Sequence, residues 1–149
     1  MPSVSPSAAP DIRARVRWML IDSAERHGVN PYLVMAVAWW ESGWDQSQVS
    51  STGAVGIMQV EPYTAASAGP RLLHRAADLH DAADNIELGV AVLRENLDNY
   101  HNDLAKALTA YYEGPGAVTD WNDLDPAAKH YVWGVYRLEV AFSNGAGPV

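Results

Sequence analysis

One segment of the sequence, residues 82–100, carries a strict helical periodicity. Its apolar residues fall at positions i, i+4, i+7, i+11 and i+14, and these are Ile86, Val90, Leu93, Leu97 and Tyr100. This spacing places them on one face of a helix, and such a face has to be buried against other elements. Gly89 lies on the same face despite its low helix propensity. It therefore predicts close packing against another helix.

Residues that begin and end helices mark further segments. Asn30-Pro31 and Asp125-Pro126 each combine an N-cap side chain with a proline at the first helical position, and Gly43 stands where the chain leaves a helix. The predicted helices cover residues 10–27, 30–43, 62–69, 82–100, 102–114 and 125–143. The predicted fold class is therefore all-α, with five or six helices.

Helical spacing also predicts which residues face the core. Among them are Ile12 in the first helix, Trp40 in the second and Tyr131 in the last. Gly69-Pro70 is predicted to end the short helix that begins near residue 62. The segment 44–60 is predicted to be an irregular loop, half buried by its own apolar residues.

The length of 149 residues suits one domain with a single core. Residues 1–9 resemble a linker rich in Pro, Ser and Ala, residues 10–143 form the predicted domain, and residues 144–149 are predicted to fray. No apolar run is long enough to span a bilayer, and residues 1–10 lack the pattern of a signal peptide. The net charge of −8 argues against binding of nucleic acid or anionic lipid. We expect no metal and no cofactor, because no ligand cluster or phosphate-binding loop is visible.

The candidate for chemistry is Glu41, in the segment Trp39–Trp44 (WWESGW). The predicted helix ends here, and both an apolar shell of indoles and the negative end of the helix dipole disfavour a charged carboxylate. Both effects raise the pKa of the Glu41 carboxyl. A raised pKa is what a general acid needs near neutral pH.

Three motifs follow one another in a fixed order. They are Glu41-Ser42-Gly43-Trp44, residues 53–59 (GAVGIMQ) and residues 110–116 (AYYEGPG), with eighteen residues from Glu41 to Gln59. Together they resemble the soluble-lytic-transglycosylase family of peptidoglycan-cleaving enzymes, which is related to goose-type lysozymes. The resemblance covers roughly residues 28–118 and extends weakly to Tyr131-Val132. It implies a lysozyme-like helical domain with a groove for glycan strands.

The resemblance also implies roles for individual residues. Glu41 would serve as the single acid and base that cleaves the bond between N-acetylmuramic acid and N-acetylglucosamine, leaving a 1,6-anhydromuramyl end. Ser50 would hydrogen-bond the Glu41 carboxyl, and the hydroxyl of Tyr111 would orient it. Met58, Gln59, Tyr111 and Tyr112 would lie along the substrate. Asn85 would be structural.

Four residues at the edges of these motifs need separate assignments. Trp44 either packs under the groove or stacks on a sugar at its rim, and packing is favoured. Tyr112 and Glu113 stand where the family usually has Asn and Ala, which alters sugar recognition at that position. Glu61 stands where the family usually has Met, before Pro62, and adds a carboxylate at the groove rim.

Two other functions compete with the transglycosylase. A muramidase would hydrolyse the same bond with a second carboxylate, for which Asp45, Glu61 and Glu113 are the candidates. A non-catalytic peptidoglycan-binding module, for example of a phage tail or a conjugation machine, would have little use for a buried acid. In each case the partner is the glycan strand, and the expected place is the cell envelope, outside the cell or on a virion. The expected state is a monomeric domain of a larger protein.

Overall fold

The computed structural model describes the backbone of residues 8–149 and the side chains from residue 12 onward. This part of the chain is built from six α-helices and three short 3-10 or π-helical turns, and no strand is present in it apart from isolated bridges of Val55 with Val49 and Val60. The helices are α1 (Ala8–Arg26), α2 (Pro31–Ser42), α3 (Pro62–Ala68), α4 (Ala82–Asn99), α5 (Leu104–Glu113) and α6 (Pro126–Ser143). The prediction of an all-α fold is confirmed. Of the predicted linker, residues 1–7 lie outside the described residues, and residues 8 and 9 belong to α1.

The predicted caps are present in the structure. The Asn30 side chain accepts a hydrogen bond of 2.9 Å from the Tyr32 amide, and α2 ends at Gly43 in the left-handed conformation, with φ of 62°. Asp103 and Asp125 cap α5 and α6 in the same way. These bonds satisfy amides that a helix leaves without partners in its first turn. The Asn30 and Gly43 caps fix where α2 begins and ends, and therefore where Glu41 lies.

The core lies between α2 and the helices around it. α2 packs against α1 and α6, while α4 packs against α1 and α5. α2 itself is buried over the run Leu33–Ala38. Two predicted core positions are wrong, because Ile12 is 61% exposed near the start of α1 and Trp40 is 36% exposed at the end of α2. Both lie near helix ends, where fewer neighbours surround a side chain.

The α-helix α3 ends at Ala68, directly before Gly69-Pro70, so the predicted end is confirmed. Residues Gly69–Leu73 then form a π-helical turn, which ends at His74 in the left-handed conformation. This turn is compatible with Pro70 because the ring is tolerated in the first turn of a helical segment, where its missing N–H has no partner to lose. Residues 74–81 then form the connection to α4.

The last residues fold back onto the domain instead of fraying. The Ala146 amide donates to the Ala141 carbonyl at 2.8 Å, and Val149 packs against the core. A side chain at Gly147 would overlap the ring of Phe142, so the backbone passes directly over that ring. Among the helices described, none combines the length and the apolar character needed to cross a membrane.

Candidate active site

The carboxyl of Glu41 opens into a cavity of about 530 Å3 at the end of α2. One wall comes from the loop between α2 and α3, and the others come from α3, α4 and α5. Of the residues predicted for the site, the cavity brings together Glu41, Ser50, Gln59, Glu61, Tyr111 and Tyr112. A cavity of this size and shape is typical of sites that bind small molecules or short segments of a polymer.

The environment of Glu41 favours its protonated form. Burial raises the pKa of the Glu41 carboxyl from 4.5 to about 7, and a hydrogen bond from the Tyr131 hydroxyl partly offsets this. That hydroxyl donates to Oε2 of Glu41 at 3.0 Å. Burial also keeps the pKa of Tyr131 well above its usual value, so the hydroxyl remains a donor. Glu41 is thus held by one hydrogen bond and is able to give or take a proton near neutral pH.

The three indoles around Glu41 in the sequence do not line its cavity. Trp44 is only 4% exposed, donates from Nε1 to the Met35 carbonyl at 3.1 Å, and stacks on Phe142. Trp39 meets Trp44 edge-on with ring centroids 5.7 Å apart, and Trp40 turns toward α6. Trp44 is therefore a core residue and not a rim residue. The indoles therefore do not form the cavity wall that the carboxyl faces.

The hydrogen bond predicted from Tyr111 to Glu41 is wrong. The Tyr111 hydroxyl donates instead to the Met58 carbonyl at 2.6 Å, and Tyr131 occupies the predicted role. Both tyrosines lie on inward faces of their helices, so periodicity alone cannot say which hydroxyl reaches the carboxyl. The sequence did offer a signal for Tyr131, in its inward position on α6 and in the weak extension of the family resemblance to Tyr131-Val132.

Tyr131 is itself supported by an aromatic neighbour. Its ring stacks on that of Tyr112, with centroids 4.5 Å apart and planes 9° apart. Tyr112 is 44% exposed and lines the cavity, whereas Tyr131 is 1% exposed. Tyr112 therefore covers the tyrosine that holds Glu41, and its free side faces the cavity or solvent.

Asn85 fixes the loop that forms one wall of the cavity. Its Oδ1 accepts from the Met58 amide at 2.8 Å, and its Nδ2 donates to the carbonyls of Val55 and Leu79 at 2.8 and 3.0 Å. The side chain is completely buried. The prediction that Asn85 is structural is confirmed, because all of its polar atoms are used by the backbone.

Met58 cannot contact a substrate, contrary to prediction. It is completely buried, and a side chain at Gly89 would overlap it. The close packing predicted for Gly89 is therefore against this loop residue and not against another helix. The Met58 amide and carbonyl are held by Asn85 and Tyr111, so this residue joins the loop to α4 and α5.

Ser50 and Gln59 line the cavity but are engaged with their own loop. The Ser50 hydroxyl bonds with Thr52 at 3.0 Å and accepts from the Ala54 amide at 3.0 Å, so the predicted bond to Glu41 is absent. Nε2 of Gln59 donates to the carbonyls of Gln48 and Gly56, each at 3.1 Å. Oε1 of Gln59 is left for a ligand, and its contact with a sugar stays a prediction.

The three other carboxylates considered for the site differ in position. Asp45 accepts three hydrogen bonds from Ser47 and Gln48, which lower its pKa, and it does not line the cavity. Glu61 lines the cavity and accepts from the Thr52 hydroxyl at 2.8 Å. Glu113 is exposed at the cavity edge, and a hydrogen bond with Asp125 raises its pKa.

The raised pKa of Glu41 makes a prediction about stability and pH. Between pH 4.5 and about 7 the native protein keeps a proton that the unfolded chain has lost, so rising pH lowers the stability contributed by this group. Glu41→Gln has no such dependence. We expect the variant to gain about 3 kcal/mol relative to the wild type between about pH 4.5 and about pH 8. Urea unfolding of both proteins at the two pH values measures it, and an unchanged difference would exclude the raised pKa.

Comparison with known proteins finds similarity to one family and to several transglycosylases. The model of a family described as the transglycosylase SLT domain matches residues 19–133. The chain is 35% identical over 134 residues to a transglycosylase of Enterobacteria phage PRD1, covering 89% of this chain and 46% of that protein. It is 33% identical over 147 residues to membrane-bound lytic murein transglycosylase C of Haemophilus influenzae, covering 86% of this chain and 41% of the relative. The chain thus spans less than half the length of these relatives.

Solved structures show the same fold. The lytic transglycosylase Slt of Pseudomonas aeruginosa, solved as an inactive Glu-to-Gln mutant, superposes with a TM-score of 0.76 at 25% identity, covering 95% of this chain and 25% of that one. The 70-kDa soluble lytic transglycosylase in complex with bulgecin A superposes with a TM-score of 0.75 at 22% identity, with the same coverage. The fold therefore corresponds to one quarter of these larger enzymes.

Proposed function

Because the chain belongs to the transglycosylase SLT domain family, we propose that it is a lytic transglycosylase of peptidoglycan. It cleaves the β-1,4 bond from N-acetylmuramic acid to N-acetylglucosamine and leaves a 1,6-anhydromuramyl end. The single observation that carries this proposal is the Glu41 carboxyl. It faces a groove-like cavity, and its pKa is about 7. A carboxyl that is half protonated at neutral pH is able to act first as an acid and then as a base.

The reaction uses Glu41 twice. Protonated Glu41 gives its proton to the glycosidic oxygen, the bond from this oxygen to C1 of the muramyl residue breaks, and the glucosamine end leaves as an alcohol. The 2-acetamido group of the substrate stabilises the positive charge at C1. The Glu41 carboxylate then takes the proton of the C6 hydroxyl as O6 bonds to C1. Glu41 is protonated again, and no water is consumed.

The protein environment supports both half-reactions. Burial keeps Glu41 protonated when substrate arrives, and the Tyr131 hydroxyl at 3.0 Å limits the rotation of the carboxyl. The same hydrogen bond stabilises the carboxylate after it has lost its proton, since a hydrogen bond to a charged acceptor is stronger than one to a neutral acceptor. We infer that Tyr131 positions Glu41 in both states.

A muramidase is the second candidate, because Glu61 lines the same cavity as Glu41. A hydrolytic enzyme needs a second carboxylate to activate water or to form a covalent intermediate. The Thr52 hydroxyl donates to Oε1 of Glu61, which holds this carboxylate at the cavity wall. The nature of the product therefore decides between the two candidates.

The product distinguishes the two reactions. We expect digestion of purified peptidoglycan to give muropeptides that end in 1,6-anhydromuramic acid, each lighter by one water than a hydrolysis product. Mass spectrometry of the soluble fragments measures this directly, with Glu41→Gln as the inactive control. Products that carry only reducing muramic acid ends would assign the chain to the muramidases.

The place of action follows from the substrate. We propose that the protein acts on the bacterial cell wall, where this polymer lies, and that its partner is the glycan strand.

A further inference from the structure

A second cavity, of about 530 Å3, lies on the outer side of α6 next to the end of α2. We call it the α6 cleft. Its defining residues are Trp40, Lys129, His130, Trp133, Gly134 and Arg137. None of these residues lines the cavity of Glu41, so the two cavities are separate surfaces.

Aromatic side chains give the α6 cleft flat apolar faces. Trp40 and Trp133 are 36% and 52% exposed, which is unusual for residues of this size. A side chain at Gly134 would overlap the Trp40 ring, so this indole lies directly on the α6 backbone. His130 meets Trp40 edge-on, with centroids 5.3 Å apart, and holds it in place. The floor of the cleft is therefore an indole, that of Trp40, held in place by its neighbours on α6.

The α6 cleft also carries positive charge on an acidic protein. Lys129 and Arg137 have no carboxylate within ion-pair distance among the residues whose side chains are described, whereas the chain as a whole has a net charge of −8. The Lys129 ammonium lies 5.9 Å from the centroid of the Trp121 ring, a cation–π contact that leaves it open to an anion. Unpaired cations beside exposed indoles fit a ligand with both carboxylates and apolar faces.

We propose that the α6 cleft is a second binding site for peptidoglycan, which holds a strand outside the groove of Glu41. This rests on the proposed function, which brings that polymer to the domain. Sugar rings present apolar faces to Trp40 and Trp133, while carboxylates of the lactyl groups and stem peptides bind Lys129 and Arg137. Nucleic acid also offers rings and anions, but the net charge of −8 opposes its approach.

The α6 cleft and the active site share one neighbour, Tyr131. Tyr131 contacts Tyr112, which lines the Glu41 cavity, through the face of its ring, and it meets Trp40 of the cleft edge-on with centroids 6.2 Å apart. Trp40 is therefore unsuitable for a test, since its loss would disturb Tyr131. Trp133 and Arg137 are exposed and do not contribute to the site of Glu41.

Binding is tested without cleavage, in the Glu41→Gln background, by sedimentation with insoluble peptidoglycan. The cleft variants are Trp133→Ala and Arg137→Glu. Their matched controls are Trp18→Ala, at a tryptophan of α1 that is 65% exposed, and Arg13→Glu, at an exposed arginine of α1. We expect each cleft variant to bind about fivefold more weakly or worse, as for an anchor residue of an interface, while the controls bind as the parent does. The effect of Arg137→Glu is expected to shrink as salt is raised.

Three outcomes bear on the inference. Cleft variants that bind peptidoglycan as their controls do would overturn it. Cleft variants that lose binding to anionic phospholipid vesicles while their binding to peptidoglycan is unchanged would also overturn it. The proposed function is assayed separately, by cleavage of short soluble glycan chains with Glu41 intact, where Trp133→Ala should retain the wild-type rate. Absence of cleavage in the wild type would reject the proposed function, and a selective loss of wall binding would still support the cleft.

Discussion

Replacement of Glu41 by Gln is expected to abolish lysis of purified cell wall while the fold stays intact. The amide keeps the shape of the side chain and is able to accept a hydrogen bond from Tyr131, but it has no proton to give. General acid–base catalysis typically contributes about 10²–10⁴-fold to a rate, and Glu41 serves in both half-reactions. The loss should therefore reach at least the upper end of this range. Turbidity of a wall suspension and mass spectrometry of the released fragments measure it.

The matched control for this variant is Glu61→Gln, the same change at a carboxylate of the same cavity. We expect it to retain most of the activity and the anhydro product. Circular dichroism and thermal unfolding establish that both variants are folded. A folded Glu41→Gln protein that clears wall at the wild-type rate would remove Glu41 from the mechanism, and equal losses in the two variants would show that two carboxylates are required.

Among the substitutions proposed for this protein, replacement of Asn85 by Ala should produce the largest loss of stability. Asn85 makes three hydrogen bonds to buried backbone groups. Its loss leaves the Met58 amide without a partner, at about 1–3 kcal/mol, and removes one of two bonds from the carbonyls of Val55 and Leu79, at about 0.5–1.5 kcal/mol each. We expect a total loss of about 3–5 kcal/mol, a large part of the stability of a domain this size. Activity should fall as well, because the wall of the cavity formed by the loop is released. Urea unfolding at neutral pH gives the free energy.

Asn96 provides the comparison within the same helix. It is also buried, but the contact of its side chain is a single long bond of 3.4 Å to the Ala107 carbonyl. Asn96→Ala should therefore cost about 1 kcal/mol, the typical value for one hydrogen bond. If the two variants lose similar stability, the three bonds of Asn85 are not what holds the loop.

The helices were predictable from local signals. Asn30-Pro31 and Asp125-Pro126 begin helices in the structure because the side chain and the proline ring act on their own backbone, whatever the rest of the chain does. Glu41 was predictable chiefly from the ordered motifs that follow it, because a Glu in the last turn of an amphipathic helix is more often a surface residue. Gly69-Pro70 ends α3 as predicted, and a π-helical turn follows because a proline is compatible with the first turn of a new helical segment.

The partners of the site residues were not predictable in the same way. Tyr111 and Tyr131 both face inward, and only the three-dimensional arrangement of α5 and α6 decides which hydroxyl reaches Glu41. Met58 and Gly89 show the same limit, since the loop between α2 and α3 has no periodicity from which its contacts follow. The sequence indicated which residues lie near the site, whereas tertiary packing determines which of them contact each other, as Tyr131 contacts Glu41.

The hydrogen bond between Tyr131 and Glu41 joins residues 90 positions apart, so the two side chains meet only after most of the domain has been synthesised. A chain leaves the ribosome from its N-terminus at about 5–20 residues per second. Glu41 emerges early, but until α6 follows it has neither Tyr131 nor the packing of α2 against α6. A nascent chain therefore carries Glu41 without the burial that raises the pKa of its carboxyl. We therefore expect a translation product that ends before residue 131 to lack the proposed activity, because its Glu41 has neither the hydrogen bond from Tyr131 nor the packing of α2 against α6.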